Sequence, residues 1–309
     1  MSELAAASRT WRAQPERSSP GVMRLMVWLA LWLGRPFARL LLYPLAAYFL
    51  CTGGHAAEAS RRFLRHVLSR EPRWSDRLDS WHTYAAVLLD RIYLLKGHGA
   101  GFSIGIECDA ATDATVHGAR GAVILVSHFG SFDVMRVMGR HQQHLPLRIV
   151  LDRRHGAMAT ALLETLDPEL ARGVIDAAQR GPQLVLALKQ ALDQGELLGL
   201  MGDRAQGQEP TVEVPFMGRP ASFPEGPWVL ASVLKVPVVL AFGVYEGGNR
   251  YRIALERLAD QVVLPRAQRH AAIAAYAGAY AARLEAQVRR APHNWFNYYD
   301  FWTDEAAAR

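Results

Sequence analysis

Apolar residues follow two different periods along this chain, and the change of period divides it into two parts. Over 56–70 and 74–95 they recur every three or four positions with charged residues between them, which predicts two helices. Beyond residue 100, short apolar runs alternate with amphipathic stretches. This alternation predicts an α/β fold, with a central, mostly parallel or mixed sheet flanked by helices.

Short runs after residue 100 carry the strand pattern: FSIGIE, AVILVS, LRIVL, GVIDA, LLGLM, VEVPF, VPVVLAF and YRIALE. AVILVS and VPVVLAF are continuously apolar, as expected of strands that are covered on both faces. Helices are predicted between or after the strands, over 132–142, 157–165, 182–194, 225–235 and 266–290. The segment PFMGRPA, over 215–221, has little regular pattern and is predicted to be a loop.

A long apolar segment precedes the first helices. Residues 22–51 exceed the roughly 20 residues that cross a bilayer, but Arg24, Arg35 and Arg39 interrupt them. On a helix these arginines fall within a stripe roughly 60° wide. The pattern predicts a membrane-associated helical element over 21–55, lying in the interface with its arginines toward the lipid headgroups. The alternative is an apolar helix packed on the protein's own core.

The composition and net charge limit the possible domain organisation and partners. Residues 1–20 are polar and predict a disordered tail, and 56–309 is long enough to form one domain with a sizeable core. The net charge of +6 favours a partner that carries phosphates, such as an anionic membrane surface. Motifs of nucleic-acid recognition are missing, so no nucleic-acid partner is expected. Cys51 and Cys108 form no CxxC pair and are expected to be buried, reduced thiols.

The strand AVILVS ends at a histidine, and an aspartate follows five positions later. His128 can act as a base, and Asp133, at the predicted start of a helix, is close enough in sequence to accept a hydrogen bond from the imidazole. Gly130 permits an unusual turn, and Ser131 can cap the helix. The chain contains no G-x-S-x-G motif. A base and an orienting carboxylate without a protein nucleophile suggest that the substrate's own hydroxyl attacks.

Charged residues follow other strands as well. Asp203 and Arg204 come after LLGLM, and Arg153 and Arg154 come after LRIVL. Arginines at strand ends are suited to phosphate groups. The alternative for each is a solvated loop charge.

Several of these blocks together resemble one family. SHFGSFD, over 127–133, resembles the His-x4-Asp/Glu signature of the glycerolipid and lysophospholipid acyltransferase superfamily, whose bacterial branch includes the lipid A late acyltransferases. GDRAQG and VPFMGRPASFPEGPWVLASVLKVPVV resemble later blocks of that branch, in the same order. The closing PHNWFNYYDFW is similar to the end of predicted acyltransferases linked to aryl-polyene or other specialised lipids. Two departures are Asp133, where lipid A enzymes usually carry Glu, and GDR in place of an acidic-Gln form.

The resemblance implies an acyltransferase. It would move a fatty acyl group from a thioester of acyl carrier protein or coenzyme A to a hydroxyl of a lipid or glycolipid, at the cytoplasmic face of the inner membrane. His128 and Asp133 are the expected catalytic residues, and no metal or cofactor is expected beside the acyl co-substrate. Backbone N–H groups near Gly130, or Arg204, are candidates for holding the oxyanion. The expected substrate-binding residues are Gly130, Ser131, Arg153, Arg154, Asp203, Arg204, Phe216 and Gly218.

Two other functions fit the same residues. A hydrolase of a lipid or phosphoester would place His128, Asp133 and Asp203 on a metal ion and would lose activity with a chelator. A non-enzymatic membrane scaffold would keep its biological effect after His128→Ala. The aromatic residues of 295–302 either fill the core or form an interfacial belt, and we favour the core.

Overall fold

A computed structural model describes residues 20–141, 146–151, 163–178, 181–205 and 209–302. Its helices are α1 (Pro20–Leu33), α2 (Arg35–Thr52), α3 (His55–Leu68), α4 (Trp74–Leu95), α5 (Ala110–Val116), α6 (Phe132–His141), α7 (Pro168–Arg172), α8 (Pro182–Asp193), α9 (Gly226–Leu234) and α10 (Arg269–Arg290). Its strands are β1 (Ser103–Glu107), β2 (Ala122–Val126), β3 (Leu147–Leu151), β4 (Ile175–Asp176), β5 (Leu197–Met201), β6 (Thr211–Phe216), β7 (Arg219–Pro224), β8 (Val238–Tyr245) and β9 (Arg250–Ala259).

The central sheet confirms the predicted α/β architecture. Its strand order is β1-β9-β8-β2-β5-β3-β4, and its neighbours pair in parallel except for β8 and β9. Alternate residues of β2 enter two separate buried clusters: Val123 and Leu125 on one face of the sheet, Ile124 and Val126 on the other. The strand is continuously apolar because both of its faces are covered by helices.

The strand predicted for VEVPF is confirmed as β6, but the segment 215–221, which was predicted to be a loop, continues it into an antiparallel hairpin. β6 and β7 form a two-stranded sheet joined by Met217 and Gly218, whose φ angles are 55° and 80°. Two central residues with positive φ are typical of a tight hairpin turn. The loop prediction for 215–221 is wrong because Pro215 and Pro220, paired across the hairpin, hide the strand pattern.

The predicted helices agree with the structure where the structure describes them. Those over 56–70, 74–95, 132–142, 182–194, 225–235 and 266–290 are confirmed, with small shifts at their ends. The helix predicted over 157–165 falls largely outside the described residues, although 163–166 is helical.

The N-terminal apolar segment forms two helices that break at Gly34, whose φ is 76°. α2 packs on the rest of the protein through a stripe at four-residue spacing, made of Ala38, Leu42, Ala46 and Leu50. Among the described residues, no single helix has the length and apolar character needed to cross a membrane. By length and composition alone α2 and α3 meet that requirement as a pair, with a bend of 99° between them.

Two of the three arginines in this segment face the protein instead of the headgroups. Arg35 donates to both carboxylate oxygens of Asp90, at 2.7 and 2.9 Å, and Tyr251 donates to the same carboxylate at 2.8 Å. Arg39 lies 3.7 Å from Asp90. The headgroup prediction is therefore wrong for Arg35 and Arg39, because a fully buried carboxylate on α4 requires paired cations. The side chain of Arg24 lies outside the described part of the structure.

With the arginines turned inward, α1 and α2 present apolar side chains to the outside. Trp28 and Trp32 stack at 6.0 Å between ring centroids, and Trp32 is 70% exposed. We call this surface the N-terminal apolar face; its members are Trp28, Leu29, Leu31, Trp32, Phe37, Leu40, Leu41, Tyr43 and Tyr48.

The aromatic residues near the C-terminus lie in the core, as favoured from the sequence. Trp295 and Trp302 are each 1% exposed and pack around Phe216 and Phe301. The expectation for the cysteines is only partly met: both thiols are free, but Cys51 is exposed and Cys108 is only half-buried.

Candidate active site

The register of two neighbouring strands places a histidine and an aspartate at the same edge of the sheet. β2 and β5 pair in parallel with Val126 opposite Met201. His128 and Asp203 each lie two residues beyond these strand ends, so the chain leaves both strands side by side. Carboxyl ends of parallel strands are the usual place for ligand sites in such sheets.

The two residues form a close pair. The imidazole Nδ1 of His128 lies 2.9 Å from Oδ1 of Asp203, and the backbone N–H of His128 donates to Oδ2 at 3.0 Å. The Asp203 side chain is fully buried, whereas the imidazole is 39% exposed. Both carboxylate oxygens of Asp203 therefore bind His128. This fixes the orientation of the imidazole, and part of the ring stays open to solvent.

Asp203 remains an anion in this environment. Burial by itself raises the pKa of its carboxyl, but the charge and hydrogen bonds of His128 and the charge of Arg204 bring that pKa down to about 2. An ionised partner at Nδ1 holds the proton of neutral imidazole on that nitrogen. Nε2 is then the nitrogen that can accept a proton, and the nearby carboxylate stabilises the imidazolium that forms.

Asp133, the residue predicted to orient the imidazole, has other partners. Its Oδ2 lies 3.1 Å from Nε of Arg91 on α4, and its Oδ1 accepts from Arg136 at 3.1 Å. The assignment of the orienting role to Asp133 is therefore corrected: the carboxylate bonded to His128 is Asp203. The physical reason is that the chain turns toward β8 before α6 begins. This turn places Asp133, in the first turn of α6, next to α4 and away from the imidazole.

A glycine allows this turn. Gly130 has φ of 63°, and a Cβ at this position would lie 1.9 Å from the carbonyl oxygen of Gly243 on β8. The N–H of Gly130 donates to the carbonyl of Asn294, and that of Ser131 donates to Gly243, both at 2.7 Å. Since both N–H groups are already bonded, the prediction that backbone donors near Gly130 hold the oxyanion is wrong for these two.

The C-terminal segment completes the frame of the site. We call residues 294–302 the C-terminal strap. The Phe296 N–H donates to the carbonyl of His128 at 3.1 Å, and the side chain of Asn294 makes two hydrogen bonds to the backbone of Tyr245. Sequence reasoning missed this role for Asn294 and Phe296. The only signal was the resemblance of the closing aromatic block to other acyltransferases.

Arg204 joins the strap to the dyad. Its Nη2 donates to the carbonyl of Phe296 at 2.5 Å, and its guanidinium lies 4.9 Å from the ring centroid of Tyr299. Nε lies 3.7 Å from Asp203. Arg204 thus binds the strap and stabilises the negative charge of Asp203. It is not a solvated loop charge, which was the alternative for this residue.

The other predicted substrate-binding residues lie in different places. Ser131 is buried and caps α6, with its Oγ accepting from the N–H of Val134 at 3.4 Å. Phe216 is fully buried in the aromatic core, so the predicted substrate contact has no exposed ring surface to support it. Gly218 lies in the β6–β7 turn. Arg153 and Arg154 lie outside the described residues.

The arrangement gives little support to the metal-dependent hydrolase. That interpretation requires His128, Asp133 and Asp203 to share one ion, but Asp133 is paired with two arginines. Within the described ranges, no three His, Cys, Asp or Glu side chains are grouped so that they could hold a metal ion.

The chain also matches a known protein family. The chain matches the family described as bacterial lipid A biosynthesis acyltransferase over residues 23–302, which include the dyad, the hairpin and the C-terminal strap. The search of curated proteins gave no significant match. Because the matched region covers most of its length, this chain belongs to the bacterial lipid A biosynthesis acyltransferase family.

Proposed function

We propose that this acyltransferase moves a fatty acyl group from an acyl thioester, carried by acyl carrier protein or coenzyme A, to a hydroxyl of a lipid or glycolipid. The observation that carries the proposal is the His128–Asp203 pair. Asp203 holds the proton on Nδ1 and thereby leaves Nε2 to accept the proton of an incoming hydroxyl. Family membership supports acyl transfer as the reaction class.

The proposed reaction needs no covalent enzyme intermediate. The acceptor oxygen attacks the thioester carbonyl carbon while its proton passes to Nε2 of His128. The tetrahedral intermediate then collapses, the C–S bond breaks, and the leaving sulfur takes the proton from the imidazolium. Ser127 and Ser131, the serines nearest in sequence to this histidine, are 5% and 1% exposed, which leaves them poorly placed to act as nucleophiles.

The test of this function is a transfer assay with a labelled acyl thioester and total lipid as acceptor. We expect a new acylated lipid in the mass spectrum, and no mass increase of the protein when it is incubated with the donor alone. A stable acyl adduct on Ser127 or Ser131 would show a two-step mechanism. Hydrolysis of the thioester without an acylated lipid would contradict the transferase proposal. Comparing the lipids of a deletion strain with those of its parent would then name the acceptor.

We further propose that the N-terminal apolar face binds the cytoplasmic leaflet of the inner membrane. Trp28, Trp32 and Phe37 are each more than half exposed, and tryptophan is enriched at membrane interfaces. The bonds of Arg35 and Arg39 to the protein hold α2 in one orientation and direct its apolar side outward. A lipid acceptor could then reach the site without leaving the membrane.

Replacing Trp28, Trp32 and Phe37 together with Ser is expected to weaken vesicle binding by on the order of 10²- to 10⁴-fold, since each exposed ring contributes about 1–2 kcal/mol when buried in lipid. Flotation with vesicles of phosphatidylethanolamine and phosphatidylglycerol measures the effect. The matched control replaces with Ser three residues that are also exposed but lie outside this face, namely Trp74, Leu186 and Val263. Equal flotation of both variants would exclude the face as the anchor.

A further inference from the structure

A second concave site lies between α3, the β6–β7 turn and α10. Its volume is about 440 Å³, and none of its lining residues belongs to the His128–Asp203 dyad. Three segments that are distant in sequence contribute to it: residues 62–69, 217–219 and 289. Of the described residues that line it, none is acidic, and the charged or titratable ones are Arg62, Arg65, His66, Arg219 and Arg289.

The surrounding carboxylates hold these arginines without lining the cavity. Arg65 pairs with Glu71 at 2.7 Å, but Glu71 also binds Arg61. Arg289 pairs with Glu285. Each carboxylate is thus shared with a further donor, since Glu285 also accepts from the N–H of Met217. Among the described contacts, Arg65 bonds Glu71 through Nε alone, and its two terminal nitrogens are therefore available to a polar ligand.

Two further side chains are well fixed in the cavity wall. Arg62 forms an ion pair with Asp300 of the C-terminal strap. The Nε2 of His66 lies 2.7 Å from the carbonyl oxygen of Met217, so this ring nitrogen carries a proton and donates. These two contacts fix the positions of Arg62 and His66 in the cavity wall before a ligand binds, so little conformational freedom would be lost on binding.

We infer that this cavity binds a phosphate group of one of the two co-substrates. Guanidinium groups match the geometry of phosphate oxygens and bond them in pairs, and several arginines can share the oxygens of one phosphate. The inference rests on the proposed function for the identity of its ligand. Acyl carrier protein and coenzyme A both carry a phosphopantetheine phosphate, and many lipid acceptors carry a headgroup phosphate, so the shared chemistry is the phosphate itself.

The test uses the full-length protein with Arg65→Gln and Arg289→Gln combined. These side chains are 48% and 50% exposed, so the variant should fold. The matched control combines Arg257→Gln with Arg283→Gln, which also removes two exposed, ion-paired arginines but outside this cavity. Any effect of net charge alone appears equally in both variants.

The first measurement is a calorimetric titration with inorganic phosphate at constant ionic strength. We expect the cavity variant to bind phosphate at least tenfold more weakly than the wild type and the control. The second is steady-state transfer kinetics, in which a rise of at least tenfold in KM for the thioester assigns the cavity to the donor. The same rise in KM for the lipid assigns it to the acceptor.

Two results would overturn the inference. One is that the wild-type protein does not bind phosphate. The other is that the cavity variant has the same phosphate affinity as the control and the same KM for each of the two substrates. The titration also separates this inference from the proposed function. If the wild-type protein transfers no acyl group but binds phosphate, and the cavity variant binds phosphate more weakly, the proposed function is contradicted and the phosphate site is supported.

Discussion

His128→Ala is expected to lower kcat for acyl transfer by on the order of 10³-fold, within the range that a positioned general base contributes. The imidazole is the only group of the dyad with exposed surface, and within the described part of the chain its Nε2 has no hydrogen-bond partner, so it can accept the proton of the acceptor hydroxyl. The fold should persist, because the backbone contacts of residue 128 to Asp203 and Phe296 do not involve the imidazole.

The measurement is the transfer assay on purified protein, with a thermal unfolding curve to show that the variant is folded. A folded His128→Ala protein with transfer close to wild type would exclude this residue as the base. In cells, the same variant separates the enzyme from the scaffold alternative. A scaffold keeps its biological effect without His128, whereas an acyltransferase loses both the effect and the acylated lipid.

Asp203→Asn is expected to lower kcat by on the order of 10²-fold or more while the size and shape of the side chain are kept. Asn carries no charge to stabilise the imidazolium, and its amide can donate to Nδ1 and so favour the tautomer with the proton on Nε2. In that tautomer Nε2 cannot accept the hydroxyl proton. The transfer assay measures the loss, and KM for both substrates should change less than kcat.

Asp133→Asn is the matched comparison, because the sequence favours Asp133 for the same role. Its carboxylate neutralises Arg91 and Arg136, and burial lowers the pKa of Arg136 to about 10, although the charge of Asp133 opposes this. Removing the charge should lower the free energy of unfolding by about 3 kcal/mol. The turnover of the folded fraction should fall less than in Asp203→Asn. The opposite order of the two kcat values would restore Asp133 as the orienting residue.

Strands of the central sheet could be predicted from the sequence where the pattern of apolar residues is compatible with only one kind of element. β2 and β8 are buried on both faces, so their continuous apolar runs are unambiguous. The turn and second strand of the β6–β7 hairpin could not be predicted in the same way, because two prolines interrupt the pattern and the turn places Met217, a residue other than glycine, at positive φ. Its burial against the aromatic residues of the strap is a tertiary effect.

The N-terminal helices show where a local pattern misleads. A helical projection correctly places Arg35 and Arg39 on one side of α2, but it does not show what faces that side. The partner is Asp90, 55 positions from Arg35 in the chain and fully buried. Only the packing of α2 on α4 turns the arginines inward, and it leaves Phe37 and the other apolar side chains of α2 on the outer side.

The sequence by itself determined that two buried strands end in charged residues, that His128 is the candidate base, and that a glycine turn follows it. It could not determine which carboxylate accompanies His128, since Asp133 is near in sequence and Asp203 is 75 positions away. The tertiary structure decided this through the order and register of the strands. β5 lies beside β2 with Met201 opposite Val126, so both chains leave the sheet together and Asp203 reaches the imidazole, whereas the turn at Gly130 directs Asp133 to the arginines of α4 and α6.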